Sequence, residues 1–167
     1  MIDAQKRASR ALLIAGIASV IFGLAGVAYN TVFLFADYSP LLQEIQNEVD
    51  PALFYRAFYV MSGICITFYM ALLVVGVQLI RQRRRWAVGL LVIVVLEVLY
   101  YVGIGLLWRS PQYAMAVAAA TGVSSGALSY QAITLFPIWG PWLALWAHRK
   151  MSHSTGSTVY EVPPTGR

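Results

Sequence analysis

Glu97 stands at the middle of an apolar run from Trp86 to Trp108, and the residues that could do chemistry gather around its depth. Tyr100 and Tyr101 follow it at i+3 and i+4, on the same face of a helix. Counting inward from the ends of the neighbouring apolar runs brings Thr67 to the same level and Asn30, Gln131 and Thr134 just outward of it. These seven residues form a candidate ligand or proton site. A carboxyl group among hydroxyls and amides can donate and accept hydrogen bonds, hold a small cation or pass a proton. A charged carboxylate at a bilayer centre costs about 2.5–3.5 kcal/mol on insertion scales, so Glu97 must face protein or trapped water. Two readings of the cluster stay open. In one, a neutral Glu97 is hydrogen-bonded to its neighbours and fixes helix register. In the other, a pocket open to the outer side binds a small cation, a proton or a lipid-like ligand.

Other chemistry has little to stand on. His148 and His153 lie away from any carboxylate in the apolar runs. There is no Ser-His-Asp set, no HExxH, no glycine loop for phosphate and no carboxylate pair, so no catalytic residue is assigned and no enzyme is expected. Cys65 is the only cysteine and sits inside an apolar run, which leaves no disulfide framework and no cysteine metal site. Four acids, Asp37, Glu44, Glu48 and Asp50, share one loop without the spacing of a calcium loop and read as a solvated face. No metal or cofactor is therefore expected.

The elements that carry these residues are membrane helices. With 59% hydrophobic and 11% charged residues, the chain is too apolar for an ordinary soluble domain. Four apolar runs are long enough to cross a bilayer, at about residues 11–36, 55–80, 86–108 and 127–147. The expected fold is all-α: an integral membrane four-helix bundle over residues 1–150, with short amphipathic helices in its two outer loops. The first run is nearly twice the length of a signal h-region and reads as a retained helix. Residues 112–126 read as a short outer or half-inserted helix, and residues 151–167, rich in Ser, Thr, Gly and Pro, as a disordered tail.

The net charge of +5 comes from three clusters beside apolar runs: Lys6, Arg7 and Arg10; Arg81, Arg83, Arg84 and Arg85; and Arg149 with Lys150. That is the positive-inside pattern, not a nucleic-acid face, and it puts both termini in the cytoplasm of a multi-pass protein of the cell membrane. The arginine connection is short enough to demand a tight turn between antiparallel helices, and it can also bind anionic lipid headgroups. Gly16, Ser19, Gly23 and Gly26 form a small-residue seam for close helix packing, either within the chain or between two copies. The glycines at 89 and 105 flank the face of Glu97, which suggests that this seam closes there. Pro137 and Pro141, with Gly140 between them, predict a hinge in the last helix. Expected partners are the lipid bilayer and a membrane protein or a second copy. The sequence supports a small accessory, assembly or sensor subunit acting by binding. A proton- or cation-coupled carrier using Glu97, oligomeric in form, is the alternative.

Overall fold

The computed structural model describes residues 2–45, 50–107, 131–132 and 134–156. Among the described residues there are five helices and no strand: α1 Ile2–Leu34, α2 Ser39–Ile45, α3 Pro51–Ile80, α4 Trp86–Leu107 and α5 Phe136–Gly156. Three segments are long and apolar enough to cross a membrane, Gln5–Leu34, Pro51–Ile80 and Trp86–Ile104. Only 29% of the most apolar stretch of Trp86–Ile104 is buried within the protein, so most of its apolar surface must find lipid instead of core. Val95, Val98, Leu99 and Val102 of α4 all point outward in this way.

Helix α1 packs against α3 and α5, and α4 packs against the same two helices. The α1–α3 seam is made by missing side chains. A Cβ added at Gly16 would stand 2.9 Å from the Gly76 carbonyl oxygen, and one at Gly76 would stand 2.8 Å from that of Gly16. Farther along, Gly23 faces Leu73, and Gly26 lies under the Tyr69 ring, where a Cβ could not fit. The small-residue seam of the sequence thus closes on α3, not on the helix of Glu97. The row Gly63, Thr67, Ala71 on α3 does not take part, since Gly63 meets nothing within 4 Å of an added Cβ. Its place is taken by the row Tyr69, Leu72, Gly76 and Leu79, buried at i+3 and i+4 spacing.

Local chemistry sets the helix ends. Asp50 caps α3, its Oδ1 accepting from the Ala52 N–H at 2.9 Å, with Pro51 in the first helical position. Just before α2, Asp37 Oδ1 accepts from the Ser39 N–H at 2.9 Å. Hydrogen bonds from Ser39 hold the Asp37 carboxyl below the usual carboxylate range. Leu42 of α2 is buried with Tyr38, Phe54, Phe58 and Ile104, so α2 rests on the bundle instead of lying on a membrane surface. The Arg81–Arg85 connection is the expected tight turn. Gln82 takes φ 59° and the Arg83 N–H reaches back to the Gln78 carbonyl at 3.0 Å, closing α3 with a Schellman motif. The Gln82 side chain then ties the turn to α1, accepting from the Ser9 hydroxyl at 2.9 Å.

The last helix departs from expectation. Leu135 adopts φ 54°, which breaks the chain before α5, and Pro137 falls in the first turn of the new helix, where its missing N–H costs nothing. Pro137 therefore starts a helix where the sequence suggested a kink in one; Pro141 alone lies inside it. Gly140 is no hinge. A Cβ there would stand 2.6 Å from the Phe136 ring, so its role is to seat that ring, which also packs on Phe22 of α1 at 4.9 Å. The helix runs on through Met151 to Gly156, beyond the expected start of a disordered tail. Arg84 Nη1 donates to the Met151 carbonyl at 2.8 Å and fixes this extension against the arginine turn. The expected outer helix at 112–126 and the start of the last span at 127–130 lie outside the described residues.

Candidate functional site

The antiparallel contact of α1 with α3 gives the levels. Gly26 meets Tyr69, so Asn30, one turn farther out, is level with Cys65, one turn before Tyr69. Helix α4 joins at the same height: Tyr100 packs on the Cys65–Tyr69 pair and stacks edge-on against Phe68 at 5.9 Å. Cys65 lies within electrostatic reach of Glu97. Gln131 is buried just before the break that precedes α5, where Phe136 packs against Phe22 of α1. Helices α1, α3 and α4 thus bring polar side chains to one level, toward the end of the protein away from the arginine turn.

Asn30, Ser62, Glu97 and Gln131 are each buried, Glu97 to 4% exposure and the others to 1%. Their polar atoms are poorly served. Among the described residues, Glu97 Oε1, Asn30 Oδ1, Ser62 Oγ and both polar atoms of the Gln131 side chain have no hydrogen-bond partner. Asn30 makes one bond, Nδ2 donating to the Gly26 carbonyl at 3.0 Å. Each buried polar group left unmatched costs about 1–3 kcal/mol, so a set of them in one layer is an expensive arrangement for packing alone. Toward the arginine turn the interior changes character. Leu72, Val75, Leu90, Ile93, Val94 and Phe136 are all buried in one apolar cluster directly beneath the polar layer.

Not every residue named from the sequence joins this layer. Thr67 is exposed on the far side of α3 and its hydroxyl donates to the Gly63 carbonyl of its own helix at 2.8 Å. One residue in three or four faces inward on a helix, and near this level the buried residues of α3 include Ser62, Cys65 and Tyr69. Thr134 is exposed too, in the break before α5, where its hydroxyl donates to the Gln131 carbonyl at 2.9 Å. The side chain of Tyr101 lies outside the described residues. Ser62 and Tyr69, which were not among the seven candidates, are buried at this level instead, on the buried row of α3. Among the described residues no group of His, Cys, Asp and Glu is placed to hold a metal ion. Comparison of the chain with protein-family models, with curated proteins and with solved structures finds no match.

Proposed function

We propose that this is a four-helix membrane protein of the cell membrane, with both termini cytoplasmic, that works by binding: its outer-half polar layer receives the polar groups of a small ligand or of a partner's membrane helix. The observation that carries this reading is the layer itself. Buried polar atoms on Asn30, Ser62, Glu97 and Gln131 await partners that the described residues do not supply. A protein that stores such cost at one level gains it back when a ligand or a partner completes the hydrogen bonds. An accessory, assembly or sensor subunit fits this arrangement. Native mass spectrometry of the protein released from its own membrane tests it. A stoichiometric added mass that disappears in Ser62→Val and in Gln131→Leu supports the proposal; a bare chain, or an added mass indifferent to both substitutions, overturns it.

The orientation rests on charge. The basic clusters at the start of α1, between α3 and α4 and within α5 gather at one end, whereas Asp37 and Asp50 lie at the other. Reporter fusions at Arg83 and at the C-terminus are expected to behave as cytoplasmic, and one at Asp37 as external. A cytoplasmic signal from the Asp37 fusion would invert the topology.

A proton- or cation-coupled carrier is the second reading, favoured by the unpartnered Oε1 of a buried carboxyl. Among the described residues an apolar cluster lies beneath Glu97 on the way to the arginine end, so this reading calls for an oligomer to supply the path.

A further inference from the structure

Helices α3 and α4 leave a groove of about 630 Å³ on their outward side, running from the arginine end toward Ile93, one turn short of Glu97. Ala71, Val74 and Val75 form one wall and Val88, Gly89 and Val92 the other. Gly89 sets its depth: an added Cβ would stand 3.3 Å from the edge of the Trp86 ring and 3.5 Å from Val75. The wall residues are apolar, and several face outward, Val74, Val88 and Val92 being about half exposed. At the mouth the character reverses abruptly. Arg85 lines the end of the groove and is exposed, with Arg81 and Arg83 exposed in the same turn. No acidic residue occurs between Asp50 and Glu97, so nothing on these two helices neutralises the turn. Arg84 is different, because its guanidinium is tied to the Met151 carbonyl.

An apolar channel of helical-segment length that ends in unneutralised guanidinium groups at membrane-surface depth has the polarity profile of one molecule. We infer that the groove holds a single anionic phospholipid, with an acyl chain along Gly89 and Val92 and its phosphate on Arg85. The phosphate gains charge-assisted hydrogen bonds from a planar guanidinium, and a lipid of net negative charge is favoured because a zwitterionic headgroup adds its own cation beside the arginines. The groove volume is within the range of built ligand sites. This site is independent of the polar layer around Glu97 and survives if that layer proves purely structural.

Native mass spectrometry in mild detergent, with phosphatidylglycerol and phosphatidylcholine of identical chains added in turn, reads the proposal. Wild type is expected to retain one phosphatidylglycerol and to bind phosphatidylcholine about tenfold or more weakly. Arg85→Gln should remove the headgroup preference. Val92→Trp should fill the groove and remove binding of both lipids. Val98→Trp, on the outward face of α4 but not lining the groove, should leave binding unchanged, as should Arg81→Gln. Because Val92 and Arg85 are exposed, the folded state should survive both changes, and an unshifted thermal transition checks this. Equal retention of the two lipids by wild type, or loss of binding in Val98→Trp as complete as in Val92→Trp, would overturn the inference.

Discussion

Gly16→Leu is expected to open the α1–α3 seam and to give the largest loss of stability of any single substitution in α1. The new side chain would meet the Gly76 carbonyl oxygen and the Ile80 backbone N, each 2.9 Å from an added Cβ. Neither can rotate away, so the helices must separate along a contact where each glycine shelters the other's carbonyl. Overpacking of a fitted contact costs about 1–3 kcal/mol and more where backbone must move, and the upper end applies here. Gly76→Leu should behave alike for the reciprocal reason. Gly63→Leu is the matched control, the same chemical change on an exposed site of α3 with open space around it. It should be neutral or slightly stabilising, since leucine is the better helix former. Thermal unfolding in detergent of the three variants measures this directly. Equal losses at Gly16 and Gly63 would mean that the seam is not what holds these helices.

Replacing Glu97 is expected to separate stability from function. Were Glu97 a structural hydrogen-bonding residue, Glu97→Leu would strip the bundle of needed contacts and lower its stability. Its Oε1 is buried without a partner, so the opposite is predicted. Leucine removes an unmatched polar group at similar volume, and Glu97→Leu should gain about 1–3 kcal/mol of stability while losing the binding proposed above. Glu97→Gln keeps shape and polarity but cannot ionise. If the layer recognises its partner by hydrogen bonds alone, the amide variant still binds; if a proton or cation is involved, it folds normally and fails. Proton uptake by protein-loaded liposomes under an imposed gradient distinguishes the carrier, which would be active in wild type and silent in Glu97→Gln. A marked fall in the unfolding temperature of Glu97→Leu would show that Glu97 is structural after all.

Much of the architecture was legible because membrane helices are written in composition and length. The second and third apolar runs became α3 and α4 with ends within a few residues of those expected, since Asp50-Pro51 and the arginine cluster mark them chemically. The seam on α1 was legible as well, but its partner was not. Small-residue spacing states that a close approach occurs and is silent about which helix approaches. The same limit explains Thr67. Depth can be counted along a helix from its ends, but azimuth depends on which face meets neighbours, and a helix apolar on all sides gives almost no periodic signal for that. The segment around Pro137 misled for another reason. A proline in an apolar run is compatible with an interior kink or with a helix start, and what decides is the backbone of Leu135, a residue with no sequence bias toward φ 54°.

The position of the tight seam along the chain bears on the order of events during synthesis. Gly16 and Gly76, and Ser9 with Gln82 beyond them, all precede α4 and α5 along the chain. A ribosome that has delivered residues 1–85 has therefore delivered both sides of the closest helix contact and the turn that ends it. These contacts join one helix to the next membrane helix in the chain, with the entropy of closing only one loop to overcome. The paired helices then present a finished surface, with Leu12, Ala15 and Leu72 in the apolar cluster against which α4 and α5 add in turn. Errors at Gly16 would strike before α4 and α5 exist, and a cell's quality control would meet them as an unpaired first helix instead of a misfolded whole.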